Sequence, residues 1–273
     1  MSAKRVSAKR VSARRVSAPR DSTARFSLLA ERWRGIGLSL VVVVATVWLG
    51  LTGQLGLYIH PRYFVFTVIM AVLGLAFVVA SFFFSATPAG ERTSPRRLAL
   101  SVTGSAVLLV IAGVAVLALP PATLTSATAT QREVNSGGLD TTDAAEQAAT
   151  LVGTGDYERL SVKEWVSLLA QSDDPALFAD KSARLTGFVL PDADDPDNVF
   201  YIARFVVTCC AVDAQPIGVP VYLPGWSNSY STDEWVEVTG EFTPNPSGSA
   251  AASLAVEPTT IESVEQPSDP YVY

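Results

Sequence analysis

The chain has little of what enzymes most often use for catalysis. Its 273 residues include two cysteines and a single histidine. One histidine leaves little for acid–base or triad chemistry, and the patterns GxSxG and HExxH do not occur. A glycine-rich phosphate-binding loop is also missing from the sequence. The sequence therefore indicates a protein that is not an enzyme.

Charged residues are scarce as well, at 17% of the chain, and they are sorted along it. Residues 1–34 carry a net charge of +8, residues 35–119 carry +3, and residues 120–273 carry −17. The sequence pI of about 4.9 thus hides a basic head and an acidic tail. Because an acidic region repels phosphate backbones, we do not expect nucleic acid to be a partner.

Long uncharged runs occupy the middle of the chain, at residues 36–57, 63–86 and 98–119. A helix needs about 20 apolar residues to cross a hydrocarbon core roughly 30 Å thick, and each run meets that length. Backbone groups in lipid must be satisfied internally, which a helix achieves. The sequence therefore predicts three transmembrane helices within a membrane region of residues 35–119.

Lysine and arginine give the expected orientation. The head and the loop at residues 87–97 are rich in them, whereas the loop between the first two runs carries only Arg62. The positive-inside rule then puts the N-terminus and the second loop in the cytoplasm. Three crossings leave the chain after Pro120 outside. We expect a multi-pass protein of the plasma membrane with an extracytoplasmic C-terminal domain.

The head, residues 1–34, begins with a repeat: SAKRV, SAKRV, SARRV and SAPR. A period of five fits neither a helix nor a strand, and no apolar face is available for burial. The pattern predicts a disordered basic arm on the cytoplasmic side. A polybasic stretch beside a membrane span also contacts anionic lipid, so we expect that partner for the arm.

The chain after the membrane region divides into a linker and a folded domain. Residues 120–155 are rich in Ala, Thr, Gly and Ser, which is typical of a flexible linker. Ser161 and Glu164 form a capping-box pattern that opens a short amphipathic helix. Beyond Lys181 the apolar residues recur with a period of two in five short segments. Residues 156–273 are therefore predicted to form an OB-fold-like five-stranded barrel with a short preceding helix.

The two cysteines, Cys209 and Cys210, are adjacent in the stretch RFVVTCCAVDAQPIGVP. Two thiolates suit zinc, copper(I) or another thiophilic species, and Asp213 is close enough to join or to orient them. Zinc normally takes four ligands, so this set is one short. His60 lies on the same predicted side of the membrane and is the candidate fourth ligand, although a histidine there also suits a polar cap to a span.

Three other interpretations of the cysteines remain open. In a vicinal disulfide the Cα atoms would be about 3.8 Å apart, below the usual 4.4–6.8 Å, so the ring would be strained. Redox dithiol motifs place two residues between the cysteines, which this chain does not. The thiols could also be small buried hydrophobes. If Cys209 and Cys210 lie in a strand, their side chains point to opposite faces of the sheet. If they lie in a turn, the two thiols can converge.

Three stretches, YIHPRYF, ARFVVTCCAVDAQPIGVPV and DEWVEVTGEF, resemble the YcgQ-like permease-subunit family of bacterial membrane proteins. The resemblance covers the first two apolar runs and residues 181–242. It implies an accessory transporter subunit working beside a separate polytopic permease related to the ArsP/YraQ-like group. The outer domain would present Cys209, Cys210 and Asp213 to a soft metal, to thiophilic cargo or to the permease. The alternative is an envelope protein-interaction module with structural cysteines.

Overall fold

The structure is a computed structural model that describes residues 22–84, 95–118, 122–136, 152, 155–171, 175–178 and 181–273. The chain forms two compact units. Of the described residues, one unit comprises residues 22–44, 71–84 and 95–118, and the other comprises residues 45–70 and the described residues from 122 onward. Residues 1–21, which hold the repeat of the predicted basic arm, lie outside the described residues, and a helix begins at Ser22.

In the described part of the chain, three long helices precede the β domain: α1 (Ser22–Leu51), α2 (Phe64–Phe84) and α3 (Pro95–Ala118). The prediction of three transmembrane helices is wrong. Among the described residues, one helical stretch, Pro61–Ala80, is long and apolar enough to cross a membrane. The apolar helical segments Ile36–Leu51 and Ala106–Ala115 fall short of that length.

The first apolar run does not form a helix long enough to cross a membrane, because its helix ends at Leu51. Gly53 adopts a φ of 75°, which the left-handed region allows for glycine, and Gln54–Leu57 continue as a 3-10 helix. The apolar part of α1, Ile36–Leu51, is then about 24 Å long, against the roughly 30 Å of a hydrocarbon core. Hydropathy counted residues 52–57 as part of a span, although they form a turn.

Residues 181–273, all of which the structure describes, form six strands: β1 (Ser182–Pro191), β2 (Val199–Val206), β3 (Gln215–Tyr222), β4 (Trp235–Pro244), β5 (Leu254–Ser263) and β6 (Tyr271–Val272). The predicted mainly-β domain is present, with six strands in a mixed sheet where five were expected. β1 pairs with both β2 and β4, so the first five strands form a ring in the order β1–β4–β5–β3–β2. The sixth strand was missed because two residues show no periodicity; it adds to β2 in parallel.

The interior of the ring is the main hydrophobic core, and a short helix packs against it. Helix α5 (Val162–Leu169) follows Ser161, whose Oγ accepts the Glu164 N–H, while the Glu164 carboxylate accepts the Ser161 N–H at 2.6 Å. The predicted capping box is thus confirmed. Trp165 of this helix is fully buried, with its ring centroid 4.6 Å from that of Phe242 in β4.

A second apolar cluster covers the outer face of β1 and β2. Phe188 and Phe205 stack there with ring centroids 5.5 Å apart. Leu57, from the 3-10 helix after α1, is buried in the same cluster, as is Ala129 from the one-turn helix α4 (Ser126–Ala129). Two chain segments that lie far apart in sequence therefore pack on one face of the sheet.

The described part of the segment predicted as a linker, residues 122–136, is held to the sheet by side-chain hydrogen bonds. The Asn135 side chain accepts the Gly218 N–H and donates to the Gly218 carbonyl, both at 2.9 Å. Asp233 accepts the Ser126 N–H at 2.6 Å and its hydroxyl at 2.8 Å. These contacts tie the end of the segment to β3 and its start to the turn before β4.

Candidate metal site at the dithiol loop

Both cysteines lie in the connection between β2 and β3. We call residues Thr208–Asp213 the dithiol loop. Its last three residues, Ala211–Asp213, form a 3-10 turn, and the antiparallel pairing of Val206 with Gln215 closes the loop at its base. Because the cysteines occupy a turn, their side chains converge. The two Sγ atoms are 3.5 Å apart, and both residues are free thiols.

The Asp213 carboxylate folds back onto the start of the loop. It accepts the backbone N–H of Cys209 at 2.7 Å, that of Thr208 at 3.2 Å and that of Cys210 at 3.4 Å. The potential ligand atoms of Cys209, Cys210 and Asp213 all lie within 4.8 Å of one another. Within the described part of the chain, this trio is the one cluster of such side chains placed to hold a metal ion.

The thiols and the carboxylate influence each other's ionisation. Hydrogen bonding to Asp213, followed by the contact with Cys210, raises the pKa of Cys209 to about 12. Burial raises the pKa of Asp213, but hydrogen bonds from the Cys209 thiol and from the backbone of Cys209, Thr208 and Cys210 outweigh it and leave that pKa below its ordinary value. Cys209 therefore carries its proton at neutral pH although it is exposed.

A second chain segment holds the dithiol loop from the outside. We call residues Tyr58–Arg62, which precede α2, the pre-helix segment. Ile59 forms an antiparallel bridge with Cys210. The His60 N–H donates to the Cys209 carbonyl at 3.0 Å, and the Ala211 N–H donates to the Tyr58 carbonyl at 2.9 Å. The pairing resembles a short two-stranded ribbon, and it fixes the backbone of both cysteines.

Two arginines bind the ends of the dithiol loop. Arg62 donates through Nη2 to the Thr208 carbonyl at 2.7 Å, and Arg132 donates through Nη2 to the Val212 carbonyl at 2.7 Å. Neither residue was predicted from the sequence to have such a role. Arg62 and Thr208 are 146 residues apart and Arg132 and Val212 are 80 apart, so a single sequence carries no signal that they meet.

His60 is near the dithiol loop, but its imidazole is outside the cluster of potential ligands. Its Nδ1 accepts the Arg62 N–H at 3.1 Å and caps the 3-10 turn at Pro61–Tyr63. Burial and the positive charges of Arg62 and Lys163 lower the pKa of His60, and the charge of Asp213 opposes them only in part. A neutral imidazole could bind a metal ion, but its capping bond occupies one of the two nitrogens.

The comparisons with known proteins identify a family. The DUF1980 N-terminal domain matches residues 36–135, and the DUF1980 C-terminal domain matches residues 142–273. The pre-helix segment lies in the first match and the dithiol loop in the second, so the contact between them joins the two matched domains. No curated protein and no solved structure matches the chain.

Proposed function

We propose that this chain is an accessory subunit of a membrane transporter and that the subunit holds a soft metal ion between Cys209 and Cys210. The chain belongs to the DUF1980 family. The observation that carries the proposal is the pair of thiols 3.5 Å apart with the Asp213 carboxylate beside them. Adjacent thiols in a turn suit zinc, copper(I) and other thiophilic species.

The sulfur separation favours an ion of tetrahedral preference. With metal–sulfur bonds of about 2.3 Å, sulfur atoms 3.5 Å apart subtend roughly 100° at the ion, close to a tetrahedral angle. A linear copper(I) ion would need sulfur atoms roughly 4.5 Å apart, and the loop would have to open. We therefore place zinc ahead of copper(I) as the ion held.

The donor set suits transient binding better than permanent binding. A closed structural zinc site has four protein ligands, whereas the described residues bring two thiols and one carboxylate together. The Asp213 carboxylate already accepts hydrogen bonds from three backbone N–H groups. Its proposed role is therefore to orient the dithiol loop and not to bind the ion directly. An ion held by two thiols has free positions for ligands from a donor or an acceptor, as cargo requires.

We also propose that the role is binding and not catalysis. A nucleophilic or redox cysteine needs a lowered thiol pKa, and the pKa of Cys209 is raised to about 12. A thiol that keeps its proton until an ion displaces it gives a site that is inert when empty. Ion binding would then release protons and strengthen as pH rises.

Membrane anchoring is part of the proposal. The stretch Pro61–Ala80 is long and apolar enough to cross a bilayer, and its larger side chains are exposed: Val65 is 72% exposed, Phe66 62% and Phe77 74%. A soluble monomer rarely leaves such a surface uncovered, and lipid would cover it. The extracytoplasmic location of the β domain and the contact of the basic arm with anionic lipid stay predictions.

The proposed partner is a polytopic permease, as the YcgQ-like resemblance implies. Helix α2 has no ionisable side chain, and a path for ions through a membrane normally includes such groups. The chain would therefore need a second protein to move cargo. Gly104 and Gly113 of α3 have open space where a Cβ would lie, which allows close approach of a partner helix.

The experiment is an ion titration of the full chain in mild detergent, reduced and free of oxygen. Zinc and copper(I) are added separately against a competing chelator. We expect about one zinc equivalent per chain that is lost in both Cys209→Ser and Cys210→Ser. Asp213→Asn should weaken binding because the amide cannot accept all three backbone N–H groups. Affinity should rise by about tenfold per pH unit for each thiol proton displaced.

Asp195→Asn is the matched control, because Asp195 also has a pKa lowered by hydrogen bonds, from Ser247 and Asn198, but is in the turn between β1 and β2. Its zinc affinity should equal that of the wild type. Equal trace metal and equal melting temperatures in the wild type and the double serine variant would contradict the ion-binding role. The chain would then be better explained as an interaction module that docks a partner.

A further inference from the structure

The dithiol loop is paired with the chain immediately before the apolar helix. The contacts run in antiparallel order: Ala211 lies opposite Tyr58, and Cys209 lies opposite His60. Arg62, which is already inside the stretch Pro61–Ala80, reaches Thr208 with its side chain. The loop therefore touches the first turn of that stretch directly.

This pairing fixes the distance between the thiols and the start of the apolar stretch. Paired antiparallel residues have Cα atoms about 5 Å apart, and one residue of extended chain adds about 3.4 Å. The Cys209 backbone is thus within about 10 Å of Pro61. The headgroup layer on each side of a bilayer is about 5–8 Å thick. If Pro61–Ala80 crosses the bilayer, its contact with the dithiol loop requires the chain to cross back before Thr208, and we assign that return to α3, whose 24 residues are about 36 Å long. The dithiol loop then falls at the level of the headgroups.

The surface around the loop has the chemistry of a membrane boundary. Val212, next to Asp213 in the loop, is 82% exposed although it is apolar. Tyr58 and Tyr63 are each 38% exposed, and the Arg62 guanidinium lies over the Tyr63 ring at 4.9 Å. Tyrosine and arginine are typical of the water–lipid interface, where an apolar side chain can reach the acyl boundary.

We infer that the dithiol loop lies in the lipid headgroup layer, with Val212 turned to the bilayer, so that Cys209 and Cys210 exchange their ion at the membrane surface. The inference rests on the proposed membrane anchoring and deepens the proposed function. It predicts that the ion-accepting site of the partner permease opens at the level of the headgroups. An accepting site far from the membrane surface would not reach the thiols.

The experiment uses the full chain in bilayer nanodiscs, with a single bimane fluorophore at one of three positions. The background is Cys209→Ser with Cys210→Ser, checked to melt like the wild type. The positions are Val212→Cys in the loop, Phe77→Cys in the apolar helix and Ser229→Cys as the control. Ser229 follows the far end of the β2–β3 hairpin, about 25 Å of strand away from the loop.

Lipids carrying a nitroxide on the headgroup or in the acyl chain quench nearby fluorophores. We expect acyl-chain nitroxide to quench Phe77→Cys strongly, and headgroup nitroxide to quench Val212→Cys several-fold more than Ser229→Cys. Strong quenching at position 77 with equal quenching at positions 212 and 229 would overturn the inference and leave the membrane anchoring supported. An unquenched Phe77 would overturn the anchoring and this inference together.

The labelled variants lack both thiols, so the quenching result is independent of ion binding. The zinc titration of the wild-type chain separately tests the thiol site. Zinc binding that succeeds with an unquenched Val212 would place the site away from lipid. Zinc binding that fails with a quenched Val212 would leave a lipid-facing loop without the proposed cargo.

Discussion

Asp213 and Cys209 are paired in the dithiol loop, where the Asp213 carboxylate accepts the Cys209 backbone N–H at 2.7 Å. Hydrogen bonding to the same carboxylate is the largest cause of the raised pKa of the Cys209 thiol, which reaches about 12. Thiolate, not thiol, reacts with alkylating agents. We therefore expect exposed Cys209 to react with iodoacetamide at pH 8 far more slowly than an ordinary thiol, whose pKa is about 8.5.

The measurement is the alkylation rate as a function of pH in a Cys210→Ser background. Asp213→Asn should move the rate profile toward lower pH, because the neutral amide removes both the charge and the acceptor for the thiol proton. Asp195→Asn should leave it unchanged. Since the folded-state pKa is raised, the stabilising contribution of this thiol is present at neutral pH and is lost as pH rises from about 9 toward 12. A profile centred near 8.5 in the Asp213-containing chain would contradict the hydrogen bond.

His60 gives a second prediction, because its Nδ1 caps the turn at Pro61–Tyr63 and its imidazole is outside the ligand cluster. Asparagine can keep a capping acceptor but offers a poor metal ligand. His60→Asn should therefore retain the zinc stoichiometry and the affinity of the wild type within about twofold.

The affinity is measured by the same chelator competition, with Tyr63→Phe as a nearby control. A loss of tenfold or more in His60→Asn alone, which is about 1.4 kcal/mol, would mean that the imidazole binds the ion. That result would support the prediction from the sequence that His60 is the fourth ligand.

The sequence predicted the chemistry of the dithiol loop better than its surroundings. Adjacent cysteines and an acid three residues later identify Cys209, Cys210 and Asp213, and the structure brings all three together. The turn around Ala211–Asp213 decides this, since in a strand the two thiols would have faced apart. The role of Asp213 in binding three backbone N–H groups could not be read from spacing, because it depends on how the loop folds back.

The helices were harder to predict, because apolar composition does not show where a helix ends. The run at residues 36–57 reads as one segment, yet Gly53 begins a turn and Leu57 is buried against the β domain. Its apolar character serves tertiary packing there. The pairing of Ile59 with Cys210 joins residues about 150 positions apart, and only the folded chain reveals it.

Trp165 gives a prediction about stability. It is fully buried, and its Nε1 has no hydrogen-bond partner among the described residues. Trp165→Ala should destabilise the domain by about 3–5 kcal/mol, because the end of the core loses a large side chain. Trp165→Phe should cost much less, since it keeps an aromatic ring against Phe242 and removes a buried donor whose isolation costs about 1–3 kcal/mol.

The free energies of unfolding come from denaturant titration of the full chain in mild detergent, followed by circular dichroism. Phe242→Ala is the matched control for a cavity at the same contact. Equal losses in Trp165→Phe and Trp165→Ala would show that the indole N–H has a partner, such as a buried water, and is stabilising.

The last prediction concerns sidedness, on the proposal that Pro61–Ala80 is anchored in a membrane. The pre-helix segment and the dithiol loop share a backbone bridge and hydrogen bonds of 2.7–3.0 Å, and a bilayer cannot lie between groups that touch. A crossing by Pro61–Ala80 must therefore be followed by a return crossing before Thr208. Thr52, before α2, and Ser249, after β4, therefore face the same aqueous side. In a background without Cys209 and Cys210, a membrane-impermeant maleimide should label Thr52→Cys and Ser249→Cys together, either in intact cells or only after permeabilisation. The predicted extracytoplasmic location adds that both label in intact cells. Opposite sidedness of the two positions would break the pairing of Ile59 with Cys210 and, with it, the link between the thiols and the apolar helix.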